Sequence, residues 1–370
     1  MQLKIGMMKK LLFLTTLSAV ANVCVGQTIT SNDLQTPGKL YPLGINTSAV
    51  SSISIGAKGT GQNWDFSALT QESSENVGTL VPSTTPYASS FPSASNATIT
   101  EDADGRTFSY YTVSPTKVEV TGIAYEAKGL LGNPSAVLKT IKPLNFYETL
   151  PMVLGNKTYS TGTYFGKAKY QPTNFVDSIE ITMVFEKWDT VDASGQIKTP
   201  NVNANTYNVV RLKTQVKRTI TVRVFSPLAG GWTKLPAPND VPNIAEEVNF
   251  KFWAEGIGNE VFQIYYDNPN ATTPTSVKWF LNSATGLADD ATALKGFVIS
   301  PNPASSQIRL NGYAGIYDLS IHTLQGVNVF NKKAMIGEQL LDVSSLTSGI
   351  YTATIETANG TKKKTKFVIQ

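Results

Sequence analysis

Between residues 27 and 295 the chain has neither histidine nor cysteine; its one His is His322 and its one Cys is Cys24. That excludes from this region a Ser-His-Asp triad, a Cys-His pair and a His/Cys zinc cage. Carboxylate chemistry remains. Glu246, Glu247, Glu255 and Glu260 crowd around Trp253, and a glycosidase works with two such groups alone. Three shorter patterns fall short. Ser114 and Lys117 have the Ser-x-x-Lys spacing, but Pro115 and flanking strand patterns deny them the helical turn that chemistry needs. Asp102 and Asp104 open like a calcium loop, yet Arg106 and Thr107 then stand where an EF-hand has a ligand and a glycine. The glycine-rich run 56–61 lacks the Gly-Lys-Ser/Thr ending of a phosphate loop. A binding use is also open: Trp232, Trp253, Trp279, Tyr265 and Tyr266 are candidates for a glycan-stacking platform, although strand aromatics are more often core. The residues thus favour a non-enzyme with no catalytic, cofactor or metal site, and leave an Asp/Glu-dependent glycan hydrolase as the alternative.

These residues must be positioned by strands. The chain has 370 residues, 41% hydrophobic and 16% charged, too apolar for disorder and too sparsely charged for a long coiled coil. The net charge of +4 is carried by the ends: residues 27–295 hold 21 bases against 23 acids. The central region therefore lacks the basic excess of a nucleic-acid binder. Apolar residues alternate at 107–113, 117–125, 178–186, 208–225, 249–254, 260–266 and 277–282. Alternation of this kind is the mark of half-buried antiparallel strands. The expected fold is all-β: an antiparallel β-sandwich over 27–290, with Lys213–Arg218 as a bend or exposed stretch. Segments 83–100 and 227–242, rich in Ser/Thr and in Pro/Gly, are candidate breaks, and 291–295 is the expected linker.

The N-terminus carries Lys4, Lys9 and Lys10, then a short apolar run, then small residues. This reads as a secretory signal over 1–26, cut between Gly26 and Gln27. Val23 and Ala21 do not suit a lipobox at Cys24, so the mature chain is expected to be free of cysteine. No other run is long and apolar enough for a membrane helix.

Residues 296–370 show seven short alternating segments with turn signals between them, as in a small immunoglobulin-like sandwich. Asn359-Gly360 suits a two-residue hairpin turn. Pro301-Asn302-Pro303 opens the segment, Gly326 follows a strand, Gly349 and Tyr351 lead the penultimate strand, and Lys366-Phe367-Val368 closes the chain. Together these residues resemble the type A C-terminal sorting domain of Bacteroidetes proteins exported by the type IX secretion system. The resemblance implies two partners, the translocon and its sortase. It also implies a second cut around 290–300 and a product on the outer surface or in the medium. An extracellular glycan is the candidate further partner. The runs 29–34, 61–69 and 205–213 resemble a module of such cargo with no established activity. The same resemblance implies O-glycans at Asp-Ser/Thr sites, here Ser178 and Thr190, both expected near strand ends, while the sequons at Asn46, Asn96, Asn156 and Asn270 stay bare. His322 is read as structural.

Overall fold

A computed structural model describes residues 27–34, 37–101, 105–127, 136–145, 150–169, 176–200, 206–235, 244–281, 294–313, 315–357 and 360–370. The expected export signal, Asp102, Asp104, Asn359 and most of the expected 291–295 linker lie outside them. The central region contains β1 (Leu40–Asn46), β2 (Gly59–Asp65), β3 (Ser73–Leu80), β4 (Asn96–Glu101), β5 (Gly105–Val113), β6 (Val118–Ala127) and β7 (Ala136–Asn145). It continues with β8 (Lys157–Lys169), β9 (Ser178–Lys198), β10 (Thr206–Ser226), β11 (Gly231–Lys234), β12 (Ile244–Trp253), β13 (Glu260–Tyr266) and β14 (Ser276–Phe280). The C-terminal region adds β15 (Val298–Ser300), β16 (Gln307–Asn311), β17 (Ile316–Thr323), β18 (Asn328–Ile336), β19 (Gln339–Asp342), β20 (Gly349–Thr357) and β21 (Lys362–Ile369). Among the described residues no helix is long and apolar enough to cross a membrane.

Hydrogen-bonded neighbours run β10-β12-β13-β14-β1-β3-β4-β5-β6-β7-β8-β9, and β9 pairs back onto β10. The ladder therefore closes on itself. The parallel pairing of β2 with β9 departs from the otherwise antiparallel order. The ring is filled: Tyr111 and Val118 from β5 and β6 meet Val191, Val210, Leu212 and Trp253 from β9, β10 and β12 in one cluster. Two walls thus share an interior, as in a sandwich.

Two stretches of the ring's outer face are also covered. Residues 47–69 lie over β12–β14, where Trp64 and Phe66 pack with Phe252 and Phe262. Their anchor is Arg211, fully buried on β10, whose Nε donates to Asp192 Oδ1 at 2.7 Å. Its two terminal nitrogens donate to the carbonyls of Ile55 and Ala57. Residues 82–95 cover β4–β6, and Phe91 stacks on Tyr110 at 4.3 Å. Gly122 makes room for it, since a Cβ there would lie 1.9 Å from the Phe91 ring.

Segment 83–100 is therefore not a break. It forms two short 3-10 turns and then β4, which pairs with β3 and β5 inside the ladder. Residues 227–230 make the turn into β11, and β10 pairs directly with β12. Lys213–Arg218 is not a bend either; it pairs on both sides, with β9 and β12, and the register shift lies earlier, at Arg211/Leu212. Polar residues on a wet strand face leave the backbone ladder intact.

The C-terminal region forms a three-stranded sheet, β15-β16-β19, and a four-stranded one, β18-β17-β20-β21. Ile308 and Leu310 from the first pack with Leu319, Ile321, Ala353, Ile355 and Phe367 from the second. All seven expected segments are strands, with β18 extended to Ile336.

Among the described residues no group of three or more His, Cys, Asp or Glu side chains gathers as a cation cage. With stability resting on apolar burial, the melting temperature of the secreted protein is expected to be the same with and without EDTA or a thiol reductant. A drop of several degrees in EDTA, read by scanning calorimetry, would expose a structural cation.

Candidate functional site

The C-terminal positions singled out in the sequence lie together at one end of the sandwich. Two prolines that cannot donate hydrogen bonds flank Asn302, whose side chain pairs with the last strand. Asn302 Oδ1 accepts from the Val368 N–H at 2.9 Å, and Nδ2 donates to the Lys366 carbonyl at 3.4 Å. Ala304 then forms a parallel bridge with Ile369. Phe367 is fully buried and stacks on Tyr351 at 5.8 Å, while Tyr351 donates its hydroxyl to the Thr347 carbonyl at 2.7 Å. Gly349 pairs with Ile369. Gly326 takes φ +84° in the turn after Thr323, and Thr323 pairs with Tyr351. Lys366 remains exposed beside them. His322, on the same strand as Thr323, lies 3.3 Å from the Asn328 amide.

The second site is a surface. β8, β9 and the C-terminal half of β10 leave the ring's outer face uncovered among the described residues. Their inward side chains, including Tyr164, Ile181, Met183 and Phe185, pack with Val120 and Leu144. The outward row holds Tyr159 opposite Trp188, 52% and 38% exposed, with ring centroids 5.3 Å apart. Tyr159 donates to Glu186 Oε1 at 3.3 Å, and Glu186 lies 3.8 Å from Lys217 Nζ. Partial desolvation, and then the Glu186 charge, raise the Tyr159 hydroxyl above its ordinary pKa. Thr163, Val184 and Thr219 continue the row. Ten residues back along β9, roughly 33 Å at strand rise, Trp232 packs against Phe225 under Lys167 and Arg223. The face is a strip with aromatics at both ends and hydroxyls and charges between them.

The five aromatics expected to form a platform do not form it. Trp253, Trp279 and Tyr266 are core residues at 0%, 1% and 8% exposure. Tyr265 donates to Glu247 at 3.0 Å, and burial followed by that carboxylate pushes its pKa up to about 12. Trp232 alone reaches the outer strip, half-buried at its far end. The physical reason is phase: inward positions on β12, β13 and β14 face one wall's core, and their outward positions lie under residues 47–69.

The four glutamates also fail to converge. Glu247 is engaged by Tyr265, and Glu246 sits opposite Lys217 on the neighbouring strand. Glu255 borders a cleft of about 740 Å³ lined by Gln62, Asn63, Gln196 and Asn208. Glu260 faces a separate pocket of about 200 Å³, where Lys251 pairs with it at 3.1 Å. Glu75 shares that pocket but is held by Lys278 at 2.7 Å. The Ser114 hydroxyl closes a turn on the Lys117 backbone, donating to its carbonyl and accepting from its N–H, while Lys117 Nζ pairs with Glu119.

Ser178 does open β9, but it is 8% exposed and its hydroxyl donates to Asp177 at 2.7 Å. Thr190 is not past the strand's end: β9 runs on to Lys198, and Thr190 is paired with both Lys157 and Lys213. Its neighbour Asp189 is buried against Lys187 and Thr214. The intact mass of the secreted protein tests both positions: sugar that survives Ser178→Ala and Thr190→Ala together would remove them as O-glycan sites.

Tyr159 and Trp188 were not singled out in the sequence. A signal was present, since Trp188 is out of phase with Ile179, Ile181, Met183 and Phe185 and so falls on the opposite face.

Residues 298–370 match the family described as the secretion system C-terminal sorting domain. No curated protein matches the chain. Among solved structures, the chain is similar to PorZ of Porphyromonas gingivalis, described as an essential bacterial surface component of the type-IX secretion system. Identity is 9%, the TM-score is 0.23, and the similarity covers 74% of this chain and 56% of that one. The chain is a β-rich cargo protein of type IX secretion, sorted by its C-terminal domain and secreted or displayed at the cell surface.

Proposed function

We propose that the exported protein is a non-enzymatic, glycan-binding adhesin that works through the outer strip of β8–β10. The observation that carries this reading is the exposed Tyr159–Trp188 pair on a face that no described segment covers. Aromatic rings stack on the apolar faces of sugar rings, and the neighbouring Glu186, Lys217 and threonines offer hydrogen bonds to hydroxyls. The strip's length of roughly 33 Å suits an extended polymer rather than a single sugar. In the same reading residues 1–26 are removed between Gly26 and Gln27, residues 27–290 are the working part, and residues 296–370 are read by the translocon and its sortase.

The test is retention of the purified full chain on a panel of insoluble polysaccharides. Saturable binding without turnover is expected, and Tyr159→Ala or Trp188→Ala should each weaken it about tenfold or more. Equal binding by both variants would sink the reading. Release of soluble sugars would favour the carboxylate hydrolase instead.

A further inference from the structure

The sorting domain and the central ring share a core. Ile316, Ala334 and Ile336 from β17 and β18 are buried in one cluster with Leu80, Ile99 and Phe108 of the ring. Gly78 on β3 provides the close approach: a Cβ there would lie 2.6 Å from Ile316 Cδ1. The polar part of the contact is Arg106 on β5, which is 3% exposed. Its Nη2 donates to the Lys333 carbonyl at 2.8 Å and also to the Ala334 carbonyl. The strand that accepts these bonds is shaped for them. Ala334 has φ +51°, a conformation uncommon outside glycine. It is held there by its N–H donating to Asp318 at 2.8 Å, beside a register shift between Tyr317 and Leu319. Costly backbone geometry of this kind persists where the surroundings over-determine it, often at binding contacts.

We propose that the sorting domain is held on the cargo by this contact without help from the connecting chain, so that a cut between Leu281 and Leu294 leaves the two parts associated. The orientation is consistent with such a dock. Ile316 and Tyr317 begin β17 at the ring, whereas Thr323, Tyr351, Phe367 and Asn302 lie at its other end, about 23 Å away at strand rise. The docked domain therefore presents its Pro301–Pro303 and Lys366–Val368 residues away from the cargo.

The test uses the full chain with a specific protease site inserted between Asp289 and Asp290. After complete cutting, both fragments are expected to elute together in size-exclusion chromatography at micromolar concentration. Arg106→Ala takes the donor from the buried Ala334 carbonyl and the partly buried Lys333 carbonyl and should weaken the association on the order of tenfold to a hundredfold. Ile316→Asp places a charge in the shared core from the other side and should separate the fragments outright. It also decides the matter if Arg106→Ala does not fold, and circular dichroism of each uncut variant establishes folding. Separation of the cut wild-type fragments, or co-elution that neither substitution weakens, would overturn the proposal.

Discussion

Arg211→Ala is expected to destabilise the central region by about 3–5 kcal/mol, the cost of breaking a buried ion pair from one side. The substitution leaves the carboxylate of Asp192, itself 7% exposed, without its cation in an apolar setting. It also strips the Ala57 carbonyl of its donor and leaves the Ile55 carbonyl with Trp64 Nε1 alone, at 2.8 Å, which loosens residues 47–69 on the outer wall. The guanidinium lies between Trp64 and Phe250, 5.5 and 5.3 Å from their ring centres, so packing is lost as well as charge. Arg211→Lys should recover little, because a single ammonium cannot reach the carboxylate and two diverging carbonyls in the planar pattern of a guanidinium. Arg211→Met with Asp192→Leu should recover much of the loss, since removing both charges leaves neither stranded. Urea unfolding followed by tryptophan fluorescence gives the differences directly. A loss below about 1 kcal/mol for Arg211→Ala would mean that the pair adds nothing beyond a surface salt bridge.

Deleting Lys364–Gln370 is expected to abolish export and strand the protein in the periplasm. The deletion removes most of β21, leaving only Lys362 and Lys363. It empties the core of Phe367 and Ile369, bares the edge of β20, and takes away the backbone that Asn302 grips. Fold and recognition surface are lost together, so a milder variant separates them. Lys366→Glu, on an exposed position, should leave the domain folded, and any export defect it shows is then one of recognition. Fractionation with an antibody to the central region reads both variants. Truncated protein at ordinary levels in the medium would remove the sorting role from this strand.

The sorting domain was legible almost strand by strand, because its segments are short, alternating and separated by Gly, Pro and Asn turns. The central ring was half legible. Phe108 and Ile179 alternate with polar neighbours and mark β5 and β9. β1 carries Pro42 and Gly44, and β2 reads Gly-Thr-Gly-Gln-Asn-Trp-Asp; neither has strand propensity, and both are strands because neighbours already in place accept them. β4 hides in a Ser/Thr-rich stretch because Thr98 and Thr100 face a polar pocket inside the ring while Ala97 and Ile99 face the outer core. Partner choice was not legible at all. No local pattern says that Arg106 reaches the carbonyls of Lys333 and Ala334, or that Arg211 reaches the Ile55 carbonyl. The aromatic platform failed for the same reason: exposure depends on which outer face a distant segment covers.

The closure of the ladder has a kinetic side. β1 is among the first strands made and β14 is the last of the ring, yet they lie side by side, with Gly44 opposite Trp279. Pairing across such a sequence separation costs loop-closure entropy before it returns any contact, which makes it a late and slow event. A chain crossing a membrane from its N-terminus therefore cannot complete the ring until Phe280 has emerged, and the first strand of the C-terminal sandwich follows at Val298. The topology itself keeps the cargo incompletely folded until all but the C-terminal part of the chain has crossed, so that the ring is completed just before the sorting domain begins to emerge.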